Sequence, residues 1–401
     1  MGENVRLLQD VCCYAAHQAV PAALLSLDQE KAFDRVEWPF LEKVLEQMDF
    51  GPSFRRWVSL LYTSVNSAVS VNGHLSDAFP VSRGVRQGCP LSPLLYVLVA
   101  ETMACSVRAD ARIDGFPLPC SNRWVKICQY ANDTTVLVCS DDFLVALFQL
   151  FERYERASGA PLNLRKCCGL LLGPWRARPP VTLPIQLKWS SETIRVLGCC
   201  IYPAGTQDWG SLLGKLATLV DTWKVRHLSF QARTVVANTL GLSTFLYLGS
   251  VCFVPPATIR QINRLVFPFV WSKKREWVRW SALTQPFLQG GLGVVDFDRT
   301  LRSLAVTWVE RFLVGSNHPW TYFFHHFLRR MLLAEPVERV FYQHIASPAT
   351  LRTLPDFYRG VLESWFAVRG LESMVCGLSC VRIRLVICSS STLRPAQPTR
   401  F

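Results

Sequence analysis

The sequence is short of charge and of any long apolar stretch. Only 18% of its 401 residues are charged and half are apolar, which excludes a disordered or fibrous chain and leaves ample material for a sizeable core. The longest apolar run, residues 240–254, is interrupted by Gly241, Ser243, Thr244, Gly249 and Ser250 and stopped by Pro255 and Pro256. That is short of the ~20 residues a membrane span requires, so a buried core helix and no membrane partner are expected. An apolar leader is missing too: GENVRLLQD follows Met1, and a cytoplasmic or nuclear location rather than secretion is expected. The fifteen cysteines are then expected to be reduced thiols. Three neighbouring pairs, Cys12 with Cys13, Cys167 with Cys168 and Cys199 with Cys200, agree, because adjacent cysteines rarely bridge. Cys376, Cys380 and Cys388 lack a fourth ligand and a histidine at zinc spacing, so no zinc site is expected there. There is no fixed-period repeat, and the polar tail at 389–400 is expected to fray.

Acidic residues are the scarcer sign. Residues 1–150 carry a net charge of −4 and residues 151–401 a net charge of +17. An acidic part joined to a strongly basic part points to a polyanion held by one and a cation held by the other.

Pattern gives the element order. Residues 20–28 (VPAALLSLD) read as a short strand, apolar on both sides and ending at a carboxylate. Residues 37–50 and 52–65 have helical periodicity, and residues 67–81 alternate about Asn72 and Gly73 as a hairpin does. A Gly/Pro-rich turn, RGVRQGCPLSP at 83–93, leads into a buried helix at 94–107. Two apolar runs about a polar tetrad at 124–139 read as a second hairpin, residues 143–157 as an amphipathic helix closed by Ser158 and Gly159, and residues 194–202 as a further strand. Residues 176–190, with three prolines, read as a connection. Strand, helices, hairpin, helix and strand in that order predict an α+β fold built on a split β-α-β-β-α-β unit. From about residue 206 the pattern turns helical and cationic.

Asp28 draws attention first. A carboxylate ending a buried strand costs several kcal/mol unless a cation or hydrogen bonds compensate it; alone it would read as a turn cap. Asp133, in the hairpin tetrad, is expected to approach it across adjacent strands, and two carboxylates in one pocket are natural Mg²⁺ ligands for phosphoryl transfer. Phe33 reads as a core aromatic or as a ring sensing the 2′ face of a sugar. Arg86 and Gln87 lie in a turn suited to an anion or a base edge, and Lys166 reads as a solvated charge or a proton donor to a leaving phosphate.

Together the strings SLDQEKAFDRVEW (26–38), RGVRQGCPLSPLLYVL (83–98), QYANDTTVL (129–137), SGAPLNLRK (158–166) and IRVLG (194–198) resemble the reverse transcriptases of non-LTR (LINE-type) retrotransposons. LSFQARTVVANTLGLSTFLY (228–247), FPFVWSKKREWVRWSAL (267–283), GGLGVVDF (290–297) and LPDFYRGVLESWF (354–366) resemble the later parts of the same proteins. The resemblance implies a right-hand polymerase palm with partial fingers over residues 1–205, a helical basic thumb over 206–290 and a carboxyl-terminal helical region over 291–401. It implies Asp28 and Asp133 as metal ligands, Phe33 as the steric gate against ribonucleotides, and Gln87 lining the contact with incoming nucleotide and template, with Arg86 of the same turn expected to bind substrate. Tyr130 to Asp133 would be the family's Tyr-Ala-Asp-Asp box and Lys166 the basic residue near the triphosphate. The implied partners are an RNA template, a DNA primer and a dNTP, the implied cofactor is a pair of Mg²⁺ ions without any organic cofactor, and the sequence leaves the oligomeric state open.

Two departures temper that expectation. Asn132 stands where the box has its first aspartate, so the site is short of one negative charge and activity is expected to be weak. Family members also carry an endonuclease and most of the fingers ahead of the first catalytic motif, where this chain begins. The alternative is a catalytically inert protein that still binds RNA or RNA–DNA hybrid through its basic half. The short cluster SKKRE (272–276) reads as a phosphate contact, a localisation signal or a solvated run.

Overall fold

Strand character is strongest where apolar residues follow one another without alternation, at AALLSL. Those residues form β1 (Ala22–Leu27), buried along nearly its whole length, as a strand covered on both faces must be. The computed structural model describes residues 1–178, 187–203, 207–272, 278–331, 337–342 and 348–375. The chain divides between Thr206 and Gln207 into two compact units.

In the first unit, α1 (Gly2–Gln18) precedes β1 and is followed by α2 (Trp38–Gln47), α3 (Pro52–Leu61) and α4 (Ser92–Ala109), which begins with Pro93 in its first turn. Next come β2 (Ile127–Tyr130), β3 (Asp133–Val138), α5 (Asp141–Ser158) and β4 (Cys168–Leu172). Gly159, at a φ of 73°, closes α5. A short β5 (Lys188–Ser190) completes a five-stranded sheet in the order β5-β4-β1-β3-β2. Neighbours are antiparallel except β4 with β5. One cluster joins Leu25, Leu27, Val136 and Val138 of the sheet to Met103 and Val107 of α4 and Leu144, Leu147 and Phe151 of α5. A second packs Leu41, Leu45 and Val58 of α2 and α3 on Tyr96 and Val99 of α4. Each such side chain contributes ~1.5–3 kcal/mol on burial, so this packing holds β1 and β3 against the helices.

The hairpin about Asn72 and Gly73 forms as expected, with Val71 opposite His74 and positive φ at both turn residues. Two expectations need correction. Residues 194–202 are not a strand of the main sheet: Leu197 and Gly198, both at positive φ, fold them into a separate hairpin of Ile194–Val196 and Cys199–Ile201. The strand beside β1 is instead β4, whose Gly169 leaves room for the Trp189 ring, 2.6 Å from where a Cβ would stand. Residues 188–190, read as connection, form β5.

The second unit is helical throughout its described part: α6 (Gly210–Lys224), α7 (Phe230–Val236), one π turn (Ala237–Leu242), α8 (Ser243–Gly249), α9 (Pro256–Val270), α10 (Phe297–Leu313), α11 (Trp320–Met331) and α12 (Asp356–Val375). Its tryptophans build a core. Trp308 stands edge-on to Trp320 at 4.9 Å and donates from Nε1 to the Ser250 carbonyl at 2.7 Å. The apolar run at 240–254 supplies buried Leu242, Phe245, Leu248 and Val251, and no described helix is long and apolar enough to cross a membrane. Cys376, Cys380 and Cys388, and all of SKKRE except Ser272, lie outside the described residues.

Candidate functional site

The register of two strands brings the first two carboxylates together. β1 and β3 pair through Leu27 opposite Thr134, so the next residues on each, Asp28 and Asp133, stand side by side. Burial and then the negative charge of Asp28 push the Asp133 carboxyl above its ordinary range. On its other side Asp133 pairs with Tyr130 across a two-residue turn of Ala131 and Asn132. Ala131 takes a φ of 53°, and its carbonyl accepts from Gln129 Nε2 at 3.3 Å. Asn132 is half-exposed and Tyr130 exposed at the same tip.

A second loop reaches Asp28 from beyond α5. The Asp28 carbonyl accepts from Asn163 N at 2.8 Å, and Glu30 N donates to the Pro161 carbonyl at 2.9 Å. Lys166 N and Cys167 N both return to the Asn163 carbonyl, which turns the chain back. That turn sets Lys166 Nζ 3.5 Å from Asp28 Oδ2, with the lysine side chain 69% and the aspartate 25% exposed. Asp28 N also donates to Cys167 Sγ at 3.4 Å.

Beneath the carboxylates lies a buried polar contact that sequence reasoning missed. Gln29 and Tyr96 are 3% and 1% exposed, and the Tyr96 hydroxyl donates to Gln29 Oε1 at 2.7 Å while Gln29 Nε2 reaches Met103 Sδ at 3.6 Å. Burial, then Tyr154, Asp28 and Asp133, push the Tyr96 phenol upward, so it keeps its proton and remains a donor. The Tyr96 ring stacks on Phe33, centroids 4.4 Å apart at 24°. The available signal was a glutamine following Asp28 in a segment otherwise buried, since such an amide needs a partner.

The Gly/Pro-rich turn docks alongside Phe33. Val85 N donates to the Phe33 carbonyl at 2.7 Å, Gly84 N to the Val36 carbonyl at 2.8 Å, and Trp38 Nε1 to the Gly84 carbonyl at 2.9 Å. Gly84 has a φ of 92°, and a Cβ there would stand 2.8 Å from the Asp34 carbonyl oxygen, so the approach needs glycine. Gln87 is exposed and donates to Asp34 Oδ1 at 3.2 Å. Arg86 is exposed, and its charge acts on Tyr62 and Cys89. The fold therefore gathers Asp28, Asp133, Lys166 and the turn at Asn132 at the end of β1, and docks the turn that carries Arg86 and Gln87 on residues 33–36.

Residues 3–201 match the family described as reverse transcriptase (RNA-dependent DNA polymerase). The chain is 33% identical over 387 residues to an uncharacterized 149 kDa protein of transposon TX1 from Xenopus laevis, covering 92% of this chain and 29% of that one. It is 26% identical over 328 residues to a retrovirus-related Pol polyprotein of the type-1 retrotransposable element R2 from Nasonia vitripennis, covering 77% and 31%. To the RNA-directed DNA polymerase of the mobile element jockey from Drosophila melanogaster it is 30% identical over 150 residues, covering 36% and 15%. The chain thus spans less than a third of each of these relatives. Among solved structures it is similar to apo telomerase from Candida tropicalis, with a TM-score of 0.42 at 12% identity over 80% of this chain and 56% of that one. Residues 3–201 are a reverse transcriptase domain, and the chain belongs to the reverse transcriptase family of non-LTR retrotransposons.

Proposed function

We propose that the chain extends a DNA primer on an RNA template, with residues 1–205 as a polymerase palm and partial fingers, 206–290 as a basic thumb and 291–401 as a carboxyl-terminal helical region. The sheet order β4-β1-β3-β2, all antiparallel, supports a split β-α-β-β-α-β palm. The observation that carries the reading is Asp28 beside Asp133 with Lys166 Nζ 3.5 Å from Asp28.

Reverse transcriptases work with a divalent metal, and these residues fit one. Burial and then the neighbouring charge of Asp28 raise the Asp133 carboxyl, an ammonium already lies against Asp28, and carboxylate oxygens are the donors a hard cation takes. Asp28 and Asp133 would hold it, with the Asn132 amide oxygen as a neutral third donor. When bound, Mg²⁺ supplies charge stabilisation at the phosphates and lowers the pKa of the primer hydroxyl. The fit is incomplete in charge, since among the described residues no three His, Cys, Asp or Glu side chains gather at one point.

In the reaction, the primer 3′-oxygen bonds to the α-phosphorus of the dNTP, the bond to the β-phosphate breaks and pyrophosphate leaves. Lys166, mostly exposed beside Asp28, neutralises the triphosphate or gives the leaving group a proton. Phe33 faces the sugar, while Arg86, Gln87 and Tyr130 contact nucleotide and template. Asn132 supports impaired turnover, lower by several orders of magnitude at ~1.4 kcal/mol per tenfold.

Primer extension on poly(rA)/oligo(dT) with Mg²⁺ or Mn²⁺ tests the reading. Trace extension is expected, lost in Asp28→Ala and raised in Asn132→Asp. Asn132 also favours a second reading, an inert binder of RNA or RNA–DNA hybrid. That reading holds if hybrid binding is retained while neither the wild type nor Asn132→Asp extends a primer.

A further inference from the structure

The aromatic ring proposed to face the sugar rests on a weak local element. Phe33 lies in a single helical turn, Ala32–Arg35, entered through Lys31 at a φ of 48°, and one isolated turn has little stability of its own. One backbone bond, from Val85 N, holds the Phe33 carbonyl, and a second, from Gly84 N, holds the Val36 carbonyl just past the turn. They leave the ring free to rotate. Its face is fixed instead by the stack on Tyr96, with centroids 4.4 Å apart. Tyr96 is fully buried in α4, and its hydroxyl is tied at 2.7 Å to Gln29, the residue covalently next to Asp28. The path from Asp28 to Gln29, to the Tyr96 hydroxyl, through its ring and onto Phe33 is short and buried. It sets the spacing between the carboxylate and the aromatic face.

We infer that Tyr96 and Gln29 are positioning residues for sugar selection: by bracing Phe33 against the Asp28 strand, they set how closely the ring meets the 2′ position of an incoming nucleotide. This rests on the nucleotide-site reading above. A loosened brace would let the ring retreat and admit the 2′-hydroxyl, while dNTP contacts at the carboxylates remain.

The test needs no turnover. The full chain is mixed with an RNA template whose next base is cytosine, a DNA primer ended in a dideoxynucleotide, and Mg²⁺. Stabilisation of the ternary complex is titrated with dGTP and with GTP. The wild type is expected to prefer dGTP. Tyr96→Leu, which removes the stack, should shrink that preference about tenfold, and Tyr96→Phe, which keeps the ring and loses the hydroxyl bond, by ~2–4-fold. Melting curves check that each variant folds, and if Tyr96→Leu does not, Tyr96→Phe and Gln29→Met decide. A dGTP-to-GTP ratio unchanged in the folded variants, with wild-type preference intact, overturns the brace and leaves the nucleotide site standing. A wild type that takes neither nucleotide, or both equally, overturns the brace together with the reading beneath it.

Discussion

Replacing Asn132 by aspartate should move cation-free stability and cation affinity in opposite directions. Position 132 directly precedes Asp133, which stands across a strand pair from Asp28. Residues opposite one another on antiparallel strands are about 5 Å apart. At that distance two unit charges interact by ~0.8 kcal/mol in water and ~3 kcal/mol at an effective dielectric of ~20. Asn132 and Asp133 are solvent-accessible, so the lower end applies, and the third carboxylate should cost the cation-free fold about 1 kcal/mol. For a domain of this size that is a melting temperature lower by ~2–4 °C. A divalent ion reverses the sign, because its doubled charge gives about 2 kcal/mol at the same distance, or roughly thirtyfold tighter binding. Differential scanning fluorimetry in EDTA and across a Mn²⁺ titration measures both quantities on wild type, Asn132→Asp and Asp133→Asn. Asp133→Asn should melt higher in EDTA and lose its response to Mn²⁺. An Asn132→Asp protein with wild-type melting in EDTA and wild-type Mn²⁺ affinity would refute the idea that the turn and the two carboxylates share a cation.

Three further outcomes are expected. The raised Asp133 carboxyl means the unfolded chain releases this proton first, so its contribution is present at low pH and lost as pH rises from its ordinary value of 3.8 through the folded value. The melting advantage of Asp133→Asn over wild type in EDTA should therefore grow from acid to neutral pH, and a pH-independent difference would contradict the cause given. Gly84→Ala should cost at least ~1–2 kcal/mol in urea unfolding for the left-handed backbone alone, with more from the 2.8 Å approach to Asp34, and a loss under ~0.5 kcal/mol would be at odds with that geometry. Affinity for RNA–DNA hybrid should fall steeply with salt, as counterion release requires; a flat dependence would make the +17 of residues 151–401 a matter of solubility.

What could be read from the sequence followed from local chemistry. Unbroken apolar character marked β1, Asn72 and Gly73 marked a hairpin, and Ser158 with Gly159 marked the end of α5. The approach of Asp28 to Asp133 was legible because each sits at the boundary of an apolar run, and strand pairing brings such boundaries together. The misreadings have separate causes: the prolines at 179, 180 and 184 hid the short strand that follows them, and two glycines were passed over. Gly198 turns a stretch that looks like continuous strand, and Gly169 sits in a strand because Trp189 fills the space above it. The tie between Gln29 and Tyr96 joins residues 67 positions apart, and no local pattern announces such a partner. Lys166 was identified by resemblance, but its seat over Asp28 depends on the turn about Asn163.

The left-handed alanine before Asn132 bears on how readily the next position can change. A non-glycine residue in that conformation costs ~1–2 kcal/mol, so the hairpin tip keeps its shape because the flanking strands and Gln129 impose it, whatever side chain occupies the next position. The backbone there can display an amide or an acid in the same place, and what changes is the charge. Codons for asparagine and aspartate differ by a single base, so a tip with the charge and a tip without it lie one mutation apart on the same backbone.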